Sequence, residues 1–149
     1  MSKPDGPRIF TVEEANEALP RVRIYFARIF QLQESIRQVG EGLRALGVDI
    51  LAGHWRAGAG DSPSVLALKA DFAAHLDETN ALLASIGEAG AVVKDIHRGL
   101  VDFHGELDGE VVCLCWQFGE EEVAWWHAAD AGFSGRKPIQ GSGVAPTLH

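Results

Sequence analysis

The sequence predicts an α+β domain: an antiparallel hairpin of two long heptad helices, followed by a small antiparallel sheet of about three strands. Three observations predict it. Apolar residues step by three and four from Val22 to Leu46 and again from Val65 to Ile86, the spacing of a helix seam. Beyond Gly90 the period changes to alternation, the mark of half-buried strands. Asp108-Gly109 then stands between two β-prone runs, Leu100–Leu107 and Glu110–Phe118, which is the strongest short-range signal for a hairpin.

In chain order, residues 1–9 read as a loose arm, 10–90 as the helical hairpin, 91–139 as a β-unit and 140–149 as a disordered tail, with 10–139 forming one compact domain. Thr11-Val12-Glu13-Glu14 fits a capping box, and Phe10 stands where a hydrophobic staple would. A short helix runs to about Leu19, and Pro20 suits the first position of a second helix, where its missing N–H has no partner to lose. The first seam is Val22, Tyr25, Ile29, Leu32, Ile36, Val39, Leu43 and Leu46, and Gly47 ends it. Ser62-Pro63 starts the next helix, with a seam of Val65, Leu68, Phe72, His75, Thr79, Leu82 and Ile86 closed by Gly87 and Gly90. His75 and Thr79 are either tolerated polar positions or residues facing a partner chain. Phe26 and Phe30 lie one turn apart outside the seam. That flank would dock the β-unit or a second copy, giving a homo-oligomer.

The β-unit begins with a strand at Ala91–Lys94 and a turn at Asp95–Gly99. After the hairpin, Glu120–His127 reads as a third strand or a helical turn, its alternation favouring the strand, and Ala128–Arg136 as an ordered loop.

Composition excludes several classes of function. The 149 residues carry a net charge of −8 and no basic stripe, which argues against nucleic-acid binding. No apolar run approaches about 18 residues, so no membrane span is expected. The N-terminus lacks the apolar core of a signal peptide. With two cysteines ill placed for bridging, a reducing cytoplasm is the expected compartment.

The candidate site follows from the hairpin register. A two-residue loop at Asp108-Gly109 pairs Val101 with Trp116, Phe103 with Leu114 and Gly105 with Val112, an apolar face continued by Phe118. The other face pairs Asp102 with Cys115 and His104 with Cys113. Two cysteines two apart on a strand sit roughly 6.5–7 Å apart with parallel side chains, which is unsuited to a disulfide. They are free thiols, metal ligands or buried small hydrophobes.

Asp, His and Cys are all competent ligands for zinc or iron. Asp102, Cys115 and His127 form the leading set, with His104 and Cys113 weaker, and His127 would return over the ribbon from the third element. A loop over Gly132–Arg136 would close the pocket, with Asp130 and Arg136 as further ligand-binding candidates. Two alternatives compete. One is a cysteine nucleophile with His127 as base and Asp130 or Asp102 orienting it. The other is a structural network in which Asp102 pairs with Arg136 while Trp116 and Trp126 pack with His127. A third reading, of a different class, is a non-catalytic interaction or oligomerisation module built on the helical hairpin.

The segments FTVEEANEALPRVR, GLVDF, LCW and WHAADAGFSGRKPI together resemble an uncharacterised prokaryotic family, domain of unknown function 2203. The resemblance runs from Phe10 to about Ile139. It implies no activity, substrate or cofactor. Its motif positions fall on Gly99–Phe103, on Leu114, Cys115 and Trp116, and on Trp126, His127, Asp130, Gly132, Gly135 and Arg136. The chain departs from the pattern at His104, where relatives often carry proline, and this ranks Asp102, Cys115 and His127 above it.

Overall fold

A computed structural model describes residues 8–142. Two long helices, α1 (Val12–Ala45) and α2 (Pro63–Glu88), precede a five-stranded antiparallel sheet. Its strands are β1 (Val92–Asp95), β2 (Leu100–Leu107), β3 (Glu110–Gln117), β4 (Trp125–Ala128) and β5 (Lys137–Pro138), adjacent in chain order. The chain divides into two compact units, Met1–Phe26 with Ser85–His149, and Ala27–Ala84. The expected arm lies outside the described residues as far as residue 7, and the expected tail from residue 143 onward. No helix among the described residues is long and apolar enough to cross a membrane.

The helix ends form as the sequence dictates. Glu14 Oε1 accepts from the Thr11 amide at 2.9 Å, while Thr11 Oγ1 accepts from the Glu14 amide at 3.1 Å, a reciprocal capping box. Ser62 caps α2 through the Val65 amide at 3.2 Å. Gly47 ends α1 at φ 82°, with the Val48 amide returning to the Leu43 carbonyl. Gly90 ends α2 in the same way, through Ala91 and Ile86. Both are Schellman caps, which need a left-handed residue at this position.

Pro20 departs from expectation. It lies inside one continuous helix and starts no second one. Ala15, Ala18, Leu19, Val22 and Phe26 are all buried on either side of it while Pro20 itself is exposed. An unbroken buried stripe outweighs the ~3 kcal/mol an interior proline costs a helix.

In the unit Ala27–Ala84, Val39, Leu43 and Val65 form a core with Val48, Ile50, Leu68 and Phe72 packed against it. Arg28 makes a bidentate bond to Glu78, at 2.5 and 2.9 Å. Thr79 is buried and donates to the His75 carbonyl at 2.8 Å, so it satisfies its hydroxyl within its own helix. Leu46 falls past the end of α1 and is 49% exposed; the seam stops at Leu43. Phe26 is fully buried and Phe30 half-buried.

In the other unit the hairpin register is the expected one throughout, from Leu100 opposite Gln117 to Leu107 opposite Glu110. Asp108 and Gly109 take φ values of 53° and 81°, the two left-handed residues of a type I′ turn. Val101, Phe103, Leu114 and Trp116 are all at 0% exposure. The Phe10 ring lies edge-on to Phe103 at 5.2 Å, and its amide donates to the His104 carbonyl at 2.7 Å. Asn16 on α1 accepts from the Val123 amide at 2.7 Å. Arg23, also on α1, donates to the Glu120 and Glu121 carbonyls.

Three details of the sheet correct the sequence reading. The sheet has five strands where about three were expected; the one with no counterpart in the sequence, β5, is two residues long and contains Pro138. A strand that short carries no alternation, and proline fits only at an edge. The third element starts at Trp125, later than Glu120. Phe118 lies beyond β3 and is 38% exposed, so the apolar face ends at Trp116.

Candidate functional site

Three adjacent strands supply the site. Register places Asp102 opposite Cys115 and Cys115 opposite Trp125, with Cys113 opposite both His104 and His127. Partnered residues share a face, so Asp102, Cys113, Cys115 and His127 stand on the face opposite Val101, Phe103 and Leu114. β2 and β4 are separated by β3, about 9–10 Å at two strand spacings. His127 spans that gap and meets Asp102. The residues of β3 beneath it are cysteines, and their short side chains leave room for the imidazole.

The bonds of His127 define its chemistry. Nδ1 lies 2.8 Å from the Ala128 carbonyl. A carbonyl only accepts, so Nδ1 carries the proton. Nε2 then faces both Asp102 oxygens, at 3.1 and 3.2 Å. In the neutral ring Nε2 is a lone pair directed at a carboxylate, and only a proton or a cation between the two relieves that opposition. Asp102 is 1% exposed and His127 4%.

The Cys115 sulfur completes the cluster. One ligand atom each from Asp102, Cys115 and His127 lies within 4.8 Å of the others, and all three residues are buried. Burial, followed by the charge of Asp102, pushes the Cys115 thiol up to about 12. The same two causes push Cys113 up to about 11. Such thiols stay protonated at neutral pH and are poor nucleophiles. Nδ1 of His127 is held by the Ala128 carbonyl and Nε2 is turned towards Asp102. A metal ion, by contrast, deprotonates a coordinating thiol outright.

A cavity of about 170 Å³ opens on this cluster, lined also by Lys94, Leu100 and the loop residues Ala129, Ala131, Gly132 and Phe133. The loop is held in place by stacking. The Arg136 guanidinium lies 4.8 Å from the Trp125 ring and 4.5 Å from that of Phe133, while Arg98 covers Phe133 at 4.5 Å. Contacts of this kind contribute about 0.5–2 kcal/mol each.

The remaining sequence candidates fall outside the three-atom cluster. Arg136 pairs with Glu120 at 2.5 Å and makes no bond to Asp102, whose oxygens are taken by His127. Its part is to brace the loop. Asp130 is exposed on the turn after β4. His104 is half-buried, one strand repeat along from Asp102, and Cys113 lines the cavity floor beside the cluster. Reading the sequence missed Lys94, Phe133 and Glu120. Glu120 stands at the start of the expected strand Glu120–His127 with no partner marked for it, and nothing in the local pattern announces the other two.

The chain belongs to the family described as uncharacterized conserved protein (DUF2203), whose pattern it matches over residues 8–139. No curated protein and no solved structure matches it.

Proposed function

We propose that this protein binds a divalent transition-metal ion, zinc or iron(II), through Asp102 oxygen, Cys115 sulfur and His127 Nε2. The observation that carries the reading is the convergence of three buried, chemically distinct ligand atoms within 4.8 Å. Ligands of a tetrahedral zinc at about 2.0–2.3 Å lie roughly 3.3–3.8 Å from one another, so only small closing movements are required. The thiolate disfavours magnesium and calcium, which take oxygen ligands. The Nδ1 bond to Ala128 is the outer contact that metal-bound histidines ordinarily make, fixing the tautomer with Nε2 free to ligate. With three protein ligands, a tetrahedral ion would keep one position open, and the cavity beside the cluster would give a ligand access to it.

In this reading the two helices form an antiparallel hairpin whose seam holds without the metal. Chelator-stripped protein titrated with zinc or cobalt(II) is expected to take up one ion per chain. Cobalt should give the thiolate-to-metal charge-transfer band. Cys115→Ala and His127→Ala should abolish uptake while the helical circular dichroism stays unchanged. Equal uptake by wild type and both variants would sink the proposal and leave a structural contact between His127 and Asp102 in its place. The competing module reading, through the Phe26/Phe30 flank, predicts a dimer mass and no metal; the full burial of Phe26 within the chain weighs against it.

A further inference from the structure

The pairing of β1 with β2 is irregular at one point. Val93 faces Val101 and Asp95 faces Leu100, which leaves Lys94 as the extra residue. A bulge of this kind interrupts the ladder and re-aims the side chain it carries, and bulges recur beside active sites. Here Lys94 is brought to the wall of the cavity above Asp102, Cys115 and His127, the only lysine or arginine among the described residues that line it.

The rest of the wall is apolar: Leu100, Ala129, Ala131 and Phe133. The cavity of about 170 Å³ has room for roughly six waters at about 30 Å³ each, and hence for an organic molecule of similarly few heavy atoms. Charge balance narrows the choice. A divalent ion held by the Asp102 carboxylate and the Cys115 thiolate is neutral overall, and Lys94 then leaves one positive charge at the fourth position. A monoanion cancels it. A dianion would leave a charge among apolar groups, and a polyol would leave hydroxyls without partners.

Resting on the metal site argued above, we propose that the cavity takes a short-chain monocarboxylate, its carboxylate on the metal's open position and paired with Lys94, its hydrocarbon end against Leu100 and Phe133. Lys94 is a specificity-determining residue, and the bulge exists to present it.

The test uses the full chain loaded with cobalt(II), whose visible absorption reports changes at the fourth position. Titration with butyrate is expected to give a saturable spectral change. Butyramide should give none, and nitrate and succinate should bind at least tenfold more weakly. Lys94→Met should load cobalt with wild-type stoichiometry, since Lys94 is exposed. It should bind butyrate about tenfold more weakly, the factor that about 1.4 kcal/mol of lost pairing represents. A wild-type chain that takes up no cobalt overturns the metal site and this inference with it. Normal loading with no butyrate response, with nitrate or succinate binding as tightly, or with Lys94→Met binding as well as wild type overturns this inference alone.

Discussion

His127 on β4 reaches across β3 to set Nε2 3.1 Å from Asp102 Oδ1 and 3.2 Å from Oδ2. Both residues are buried, and their contact crosses the intervening strand. Substitutions at Asp102 should therefore separate its two roles. Asp102→Ala leaves Nε2 buried and unpaired and is expected to cost about 2–4 kcal/mol in urea unfolding. In Asp102→Asn the amide can donate to Nε2, so the cost should fall to about 1 kcal/mol, yet the metal should still be lost with the carboxylate charge. Equal destabilisation by the two variants would refute the pairing.

The two cysteines should behave differently although both are buried. Cys115→Ala removes a ligand and is expected to abolish cobalt charge-transfer absorption. Cys113→Ala should keep that absorption. Each loses only one buried sulfur atom's packing, so both metal-free variants should lie within about 1 kcal/mol of wild type. A Cys113→Ala variant unable to bind metal would mean that both sulfurs are ligands.

Alkaline pH should weaken the metal-free fold through these thiols. Their values in the fold are raised to about 11 and about 12 from an ordinary 9.0. Below about pH 9 both are protonated in folded and unfolded chains alike, and their contribution is fully present. Between about pH 9 and pH 12 the unfolded chain releases thiol protons that the folded chain retains, so stability falls as pH rises. Urea midpoints at pH 8 and pH 10.5 should differ more for wild type than for a Cys113→Ala/Cys115→Ala double variant. Equal differences would show that the thiols are not held protonated.

Pro20 offers a test of the continuous helix. It is exposed within α1 and cannot donate to the Asn16 carbonyl four residues back. Pro20→Ala restores that donor and is expected to stabilise the protein by about 1–2 kcal/mol. A loss of stability would mean that a local bend in α1 at this point is needed.

The hairpin was legible in the sequence because a two-residue Asp-Gly turn fixes register absolutely, and one residue of slip would have put Val101 and Trp116 on the polar face. The pairing of Asp102 with Cys115 came with it. His127 could be proposed as the third member because alternation around Trp125 and Trp126 marked a strand, but its contact with Asp102 depends on crossing β3, which no local pattern encodes. Lys94 was invisible for a related reason: a bulge is a mismatch between two strands, and neither strand displays it alone. Pro20 misled because propensity is a local quantity, and the buried stripe that overrides it is not.

The sheet order, in which every strand lies beside its predecessor in the chain, also bears on folding kinetics. Such a meander has low contact order, the condition under which small domains fold fast, and its central hairpin can close on the order of microseconds. Asp102, Cys115 and His127 all lie within three consecutive strands, so the ligand set is assembled by local closure once β4 has paired. A metal would then meet a site completed by the pairing of neighbouring strands alone.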